Sequence, residues 1–212
     1  MISAAEALDR LREGNRRFVR NVRDGAALTD AARRAQLVDG QAPFAIVLGC
    51  SDSRVPAELV FDQGFGDLFV IRVAGNVVAP SQVGSVEFAA ERFGSPLVVV
   101  LGHSRCGAID AVLETLGQPM SGALRNLRSI VDRVRPSVEP LLRTELAARP
   151  EALVAAAVRA NIRASAEHLR SGSEILENLI HAGRLAVVGA EYSLDTGVVD
   201  FFDGTAVAPR GA

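Results

Sequence analysis

The sequence predicts an α/β domain: a mostly parallel central β-sheet flanked by helices, with an N-terminal helical arm. Short apolar runs that resemble strands alternate with segments whose apolar residues recur at helical spacing. The run 97–101 is apolar at every position, which is typical of a parallel strand covered on both faces. No repeat, linker or low-complexity segment interrupts the chain, so we expect residues 1–212 to form one domain.

The first helix is predicted over residues 3–20. Ser3 and Glu6 have the spacing of a capping box, and Leu8 and Leu11 follow at helical spacing. This helix has more apolar surface than a single copy of the domain needs. We therefore expect it to pack on a partner subunit.

The remaining elements follow from the same patterns of apolar spacing, glycine and proline. Helices are expected over 29–38, 81–93, 107–116, 124–134, 138–146, 151–169 and 173–182. Strands are expected over 44–49, 68–73, 97–101, 185–189 and 198–202. Breaks are expected at Asp24-Gly25, Gly117, Pro136, Pro140, Pro150 and the turn 195–197.

Composition and charge limit the classes of partner. With 49% hydrophobic residues the chain has ample material for a core, and a net charge of −2 disfavours a nucleic acid or an anionic membrane as partner. No apolar run approaches the roughly 20 residues of a membrane span. The charged start of the chain lacks the apolar core of a signal peptide. We therefore expect a cytoplasmic protein, in which two cysteines favour metal binding over a disulfide.

The two cysteines and one histidine stand where a metal would bind. Cys50 follows the apolar run 44–48, and His103 and Cys106 follow the run 97–101 as a His-x-x-Cys pair. The carboxyl ends of parallel strands meet at one edge of a sheet, so we expect the two segments to converge there. Three cysteine and histidine ligands suit Zn²⁺, and an open fourth position is typical of a catalytic zinc site.

At this point the sequence resembles a known family, the β-class carbonic anhydrases of bacteria. The resemblance rests on the runs 50–54 (Cys-Ser-Asp-Ser-Arg), 72–76 (Arg-Val-Ala-Gly-Asn) and 102–107 (Gly-His-Ser-Arg-Cys-Gly). Weaker similarity in 14–18 and 189–197 extends it over essentially the whole chain. The resemblance implies a zinc lyase that reversibly hydrates carbon dioxide to bicarbonate and a proton, by attack of a zinc-bound hydroxide.

The resemblance also implies roles for individual residues. Cys50, His103 and Cys106 become the zinc ligands, and Asp52 with Arg54 becomes the catalytic pair. In an open state Arg54 holds Asp52 and the zinc binds water, whereas in a closed state Asp52 itself ligates the zinc. The substrate-binding residues implied by the resemblance are Gln41, Phe69, Ala74, Phe88 and Gly107.

Assembly and regulation are further implications of the resemblance. It implies a homodimer or a dimer of dimers (a homotetramer), with active sites at the subunit interface and Gln41 reaching across it. Some bacterial members carry a regulatory bicarbonate site that uses Trp, Gly and Tyr. The matching positions here are Val47, Gly49 and Tyr192, so the tryptophan of that site is missing.

Two other functions stay open. A related zinc hydrolase would act on carbon disulfide or carbonyl sulfide, and it would differ in access to the pocket rather than in its ligands. A non-catalytic zinc-binding or thiol-sensing protein would have no use for Asp52, Arg54 and Gln41, which disfavours it. His168 and His181 lie in predicted helices and are not expected to bind metal, and no histidine is placed to act as proton shuttle.

Overall fold

A five-stranded sheet forms the centre of the computed structural model, which describes residues 2–22, 30–116 and 126–207. The strands β1 to β5 are, in chain order, Ala45–Gly49, Leu68–Arg72, Leu97–His103, Ala186–Tyr192 and Val199–Asp203. Across the sheet their order is β2-β1-β3-β4-β5. β1 to β4 are parallel to one another, and β5 runs antiparallel to β4. The predicted α/β class and mostly parallel sheet are confirmed.

Two strands are longer than predicted. β3 continues to His103 and β4 continues to Tyr192, and these two residues lie opposite each other in the register of the pair. The extensions contain Gly102 and Glu191, so they have no continuous apolar pattern. Backbone pairing between the strands nevertheless continues, because it does not depend on side-chain polarity. His103 is consequently part of a strand rather than of the loop after it.

The sheet has a separate apolar layer on each face, because successive side chains of a strand point in opposite directions. In β1, Ile46 and Leu48 belong to one layer, whereas Ala45 and Val47 belong to the other. Every residue of β1 and of β3 is buried. Coverage on both faces explains the unbroken apolar run from which β3 was predicted.

Helices cover both faces of the sheet. In chain order α1 to α8 span Ala4–Val19, Ala31–Gln36, Ala57–Val60, Pro80–Phe93, Gly107–Thr115, Arg128–Val138, Pro150–Ser171 and Glu174–His181. The buried residues of α1 and α3 join the layer on one face, and those of α4 to α8 join the layer on the other. Among the described residues, no helix combines the length and the apolar character needed to cross a membrane.

The N-terminal helix packs on its own chain. It begins with the predicted capping box, in which Ser3 Oγ accepts the N–H of Glu6 and the Glu6 carboxylate accepts the N–H of Ser3. Leu8 and Leu11 are buried against the sheet. Leu8 and Leu11 are therefore covered by the helix's own chain, and packing of this helix on a partner subunit stays a prediction.

The helix predicted over 138–146 is wrong. Glu139–Arg143 and Glu145–Ala148 form two 3₁₀ turns, and Thr144 between them has an extended conformation. Pro140 has no N–H to donate into a continuous helix, so it favours the start of a new turn. The helix was predicted from the spacing of apolar residues, and that spacing carries no information about the backbone N–H that Pro140 lacks.

The short helix α3 was not predicted. The boundaries of the other predicted helices agree with the structure to within a few residues, with one exception. α6 continues through Pro136 to Val138, beyond the predicted end at 134. Several predicted boundaries lie outside the described residues: the break at Asp24-Gly25, the helix starts at 29 and 124, and the stop at Gly117. That residues 1–212 form one domain stays a prediction.

Candidate metal centre

The carboxyl ends of β1 and β3 bring the three predicted metal ligands together. The two strands are parallel neighbours, with Gly49 opposite Leu101. Cys50 directly follows β1, His103 is the last residue of β3, and Cys106 caps the N-terminus of α5. Their ligand atoms all lie within 4.8 Å of one another, and all three residues are buried.

The two sulfur atoms have the separation of a shared metal site. Sγ of Cys50 lies 3.9 Å from Sγ of Cys106, and both cysteines are free thiols. A disulfide bond is about 2.05 Å long. Two thiolates that bind tetrahedral zinc at about 2.3 Å each lie about 3.8 Å apart. The observed distance therefore fits zinc coordination without movement of the backbone.

Each sulfur changes the pKa of the other. A hydrogen bond between the two sulfurs lowers the pKa of Cys50. The N–H of Gly75 also points to the Cys50 sulfur, at 3.4 Å. The same sulfur–sulfur hydrogen bond, together with burial, raises the pKa of Cys106. A divalent cation would release the remaining proton, because it stabilises both thiolates at once.

His103 presents one ring nitrogen to the sulfurs. Its Nδ1 lies 2.9 Å from the carbonyl oxygen of Ser104, so Nδ1 carries the hydrogen and donates it. Its Nε2 is buried and has no hydrogen-bond partner within the described part of the chain. A buried polar atom without a partner costs free energy unless a ligand satisfies it. The donor set of two thiols and one imidazole nitrogen therefore fits a zinc ion.

Asp52 and Arg54 lie beside the ligands and bind each other. Arg54 donates from Nε to Oδ1 at 2.9 Å, from Nη2 to Oδ2 at 2.7 Å and from its backbone N–H to Oδ1 at 3.0 Å. This fork holds the pKa of Asp52 well below its ordinary value. Oδ2 of Asp52 is 3.7 Å from Nε2 of His103, so an ionised carboxylate borders the ligand cluster. The pairing is the one described above for the open state, and the closed state stays a prediction.

A second arginine, Arg72, holds the same segment through its backbone. At the end of β2 it donates from Nε to the Cys50 carbonyl at 3.1 Å and from Nη2 to the Asp52 carbonyl at 2.6 Å. The run 72–76 carried part of the family resemblance, yet the sequence analysis assigned no role to its arginine. The available signal was its position at the carboxyl end of a strand, the same edge at which the ligands were expected.

Two of the predicted substrate-binding residues lie at the metal centre. Ala74 precedes Gly75, whose N–H contacts the Cys50 sulfur. Gly107 follows Cys106, is exposed, and has open space where a side chain would begin. Neither residue places a bulky side chain next to the ligands. A role in binding substrate stays a prediction for each.

The other three predicted substrate-binding residues lie away from the metal centre of their own chain. Phe69 is opposite Ile46 in the sheet, about 10 Å along β2 from the edge that carries the ligands. Phe69 and Phe88 form an aromatic cluster with Phe93, and Phe88 is 53% exposed. Gln41 is exposed and precedes β1, at the opposite end of that strand from the ligands. Their substrate-binding role stays a prediction.

Comparison with known proteins agrees with this geometry. Residues 45–199 match the family model described as carbonic anhydrase. The chain is 40% identical over 191 residues to carbonic anhydrase 2 of Mycobacterium tuberculosis, covering 88% of this chain and 87% of that one. It superposes on the β-carbonic anhydrase CcaA with a TM-score of 0.72 and 28% identity, covering 95% and 98% of the two chains.

A further solved structure is one of two tetrameric β-carbonic anhydrases from Sordaria macrospora. Its TM-score is 0.70 and its identity 25%, over 80% of this chain and 85% of that one. The family model spans most of the sequence, and the bacterial relative matches over nearly its full length. The chain therefore belongs to the β-carbonic anhydrase family, as the resemblance of its motifs implied.

Proposed function

We propose that the chain holds one zinc ion between Cys50, His103 and Cys106 and interconverts carbon dioxide and bicarbonate there. Family membership supports the reaction. The observation that supports the metal is the buried Nε2 of His103, which has no partner in the described residues and lies beside two thiols 3.9 Å apart. Bound zinc supplies Lewis-acid activation of a water molecule for attack on carbon dioxide.

Asp52 and Arg54 prepare the site for that attack. The fork from Arg54 keeps the Asp52 carboxylate ionised and in one orientation. From its place beside His103, this carboxylate accepts a hydrogen bond from the attacking water and directs the water's lone pair toward the substrate. Because Arg54 already holds the Asp52 carboxylate in position, this group does not have to reorient during the reaction.

Two of the residues next to the ligands are small. Ala74 and Gly107 bring no polar side-chain group next to the ligands. Carbon dioxide is itself small and apolar, so space without competing hydrogen-bond donors suits its approach. Bicarbonate leaves as an anion in exchange for water, and the released proton passes to buffer.

We further infer that the protein is a homodimer or a dimer of dimers, in which Gln41 and Phe88 complete the site of a second copy. Both residues are exposed and lie away from the ligands of their own chain. The Sordaria macrospora relatives are tetrameric. Light scattering at micromolar protein concentration tests this proposal, and a monomer at that concentration contradicts it.

A cytoplasmic location belongs to the same proposal. The two ligand thiols bind metal only while they stay reduced, and a reducing compartment keeps them so. Cell fractionation with antibody detection tests the location. Recovery of the protein outside the cytoplasmic fraction contradicts it.

Proton release on addition of carbon dioxide tests the reaction directly. We expect the zinc-loaded protein to acidify a weakly buffered indicator solution far faster than buffer alone, with about one zinc per chain by elemental analysis. Carbon disulfide and carbonyl sulfide should be assayed in parallel. Zinc binding with turnover of those two substrates alone favours the related hydrolase, and zinc binding without any turnover favours a storage or sensing protein.

A further inference from the structure

The segment that supplies two of the three ligands is attached to a distant turn. We call residues 103–106, the last residue of β3 with the turn after it, the metal loop, and residues 193–198 the β4–β5 loop. The Ser104 N–H donates to the Tyr192 carbonyl at the end of β4 at 3.0 Å. In the other direction, the N–H of Leu194 donates to Ser104 Oγ, also at 3.0 Å. The metal loop is thus joined to the start of the β4–β5 loop by a backbone contact and a side-chain contact.

Arg105 adds an ion pair to this attachment. Its guanidinium lies 2.8 Å from the carboxylate of Asp195. Arg105 has a φ of 54°, in the left-handed region that a long side chain adopts only where its surroundings hold it. Its carbonyl oxygen, 3.4 Å from Nη2 of Arg54, also supports the arginine that binds Asp52. The backbone of the metal loop is therefore constrained at one of the two residues between its ligands.

The attachment bears directly on the orientation of the imidazole. The Ser104 carbonyl accepts the hydrogen of His103 Nδ1, at 2.9 Å. That bond fixes which ring nitrogen is protonated and in which direction Nε2 points. Because the same Ser104 residue is held by the β4–β5 loop, a shift of the loop moves the acceptor that aims the ring.

The β4–β5 loop is anchored on its far side by Asn15 of α1. Asn15 is buried, and its amide donates to the carbonyls of Gly197 at 2.9 Å and of Val60 at 3.1 Å. Its Oδ1 accepts the N–H of Val199 at 2.9 Å. The φ of Gly197 is +76°, and a side chain there would begin 3.1 Å from the ring of Phe18. The runs 14–18 and 189–197, which carried the weaker family resemblance, are thereby in contact.

We propose that the β4–β5 loop, anchored by Asn15, positions His103 for the metal through Ser104 and Arg105. The inference rests on the proposed zinc site and adds positioning residues that touch neither metal nor substrate. A role in fold stability alone would make the same contacts, so the test requires a property of the bound metal. Zinc release and the spectrum of a substituted cobalt ion are such properties.

The experiment compares Asp195→Asn and Ser104→Ala with Asp132→Asn. The pair Arg128–Asp132 is a matched control, since its side chains are 71% and 55% exposed, against 71% and 54% for the pair that contains Asp195. We expect zinc release to a chromogenic chelator to accelerate about threefold in Asp195→Asn and about tenfold in Ser104→Ala. Asp132→Asn should release zinc at the wild-type rate.

Two further measurements separate positioning from stability. The visible spectrum of the cobalt-substituted protein should change in Ser104→Ala, because the ligand geometry changes, and stay unchanged in Asp132→Asn. The thermal unfolding midpoint of each zinc-free variant should stay near that of the wild type. Faster release that merely follows a lower midpoint, with an unchanged cobalt spectrum, overturns the proposal.

Reversal of the ion pair gives a final check. The variant Arg105→Asp should release zinc faster than wild type, and the double variant with Asp195→Arg should recover most of the loss; failure to recover overturns the role of this pair. If both Asp195→Asn and Ser104→Ala release zinc at the wild-type rate, the positioning proposal is wrong while the zinc site stands. If the wild-type protein itself does not bind zinc, the proposed function fails first.

Discussion

The two segments that supply the ligands are held in different ways. Residues 50–54 are held by charged side chains, since Arg72 binds two of their carbonyls and Arg54 binds the Asp52 carboxylate. The metal loop has a surface ion pair too, Arg105–Asp195, but Ser104 also bonds to the end of β4 and to Leu194, and a buried Asn15 anchors the β4–β5 loop. Ion pairs at a surface exchange partners readily, whereas the hydrogen bonds of a buried side chain such as Asn15 do not. The first segment can therefore change its pairing at Asp52 while the second keeps His103 in place.

The largest effect should come from the metal loop itself. In Cys106→Ser we expect loss of most of the bound zinc and of all activity, because a hydroxyl is a far weaker ligand than a thiolate. Elemental analysis and proton release measure the two losses. Full zinc occupancy in this variant would show that Cys106 is not a ligand.

A change within residues 50–54 should lower activity without lowering the zinc content. Asp52→Asn keeps the size of the side chain but removes its charge. We expect activity to fall about 100-fold across the pH range while zinc content stays near that of the wild type. Ser51→Ala, a substitution at the neighbouring exposed position, serves as the control and should keep its activity. Equal activity in Asp52→Asn and wild type would remove Asp52 from the mechanism.

Removal of the Arg72 side chain, which binds backbone carbonyls beside the ligands, should have an intermediate effect on zinc binding. Arg72→Gln removes the fork that binds the Cys50 and Asp52 carbonyls. We expect zinc affinity to fall about tenfold, since residues that support metal ligands typically contribute that much or more. Arg92, an exposed arginine in the last turn of α4, provides the control variant Arg92→Gln. If both variants bind zinc as the wild type does, the hydrogen bonds from Arg72 do not support the site.

The pH dependence of activity should reflect the attacking water and not Asp52. Because Arg54 lowers the pKa of Asp52, that carboxylate is ionised throughout the working range. We expect activity to rise through about pH 7 to 8.5, the region expected for a zinc-activated water. Metal-edge spectroscopy at both ends of the range tests the closed state, in which Asp52 replaces water at low pH. An identical shell of two sulfurs, one nitrogen and one water oxygen at both ends would exclude it.

The smallest effect is on stability. The lowered pKa of Asp52 means that its pairing stabilises the fold above the unfolded-state pKa of about 3.9 and that this contribution is lost as pH falls toward the folded-state value. Arg54→Gln should therefore lower the free energy of unfolding of the zinc-free protein at pH 7 by a small amount, because Arg54 is exposed and solvent screens the pair. Urea titrations from pH 7 down to pH 3 should show the difference shrinking. A difference that grows toward low pH contradicts this assignment.

Local sequence was sufficient for the elements and for the identity of the ligands. The apolar run of β3, the capping box of α1 and the His-x-x-Cys spacing are each contained within a few neighbouring residues. Buried strands and helix caps depend on such neighbours, so their patterns remain visible in one dimension. Convergence of Cys50 on His103 followed from a general property of parallel sheets rather than from any single contact.

The support of the site was decided by tertiary contacts that leave no local pattern. Arg72 reaches carbonyls twenty and twenty-two positions earlier in the chain, and Ser104 contacts Leu194 ninety positions away. Backbone carbonyls and N–H groups occur at nearly every residue, so sequence does not single out the ones that will be bound. Composition likewise does not tell which surface covers the apolar face of α1, a partner subunit or the chain's own sheet. In the structure, the buried leucines of α1 lie in the same apolar layer as Ala45 and Val47 of the sheet.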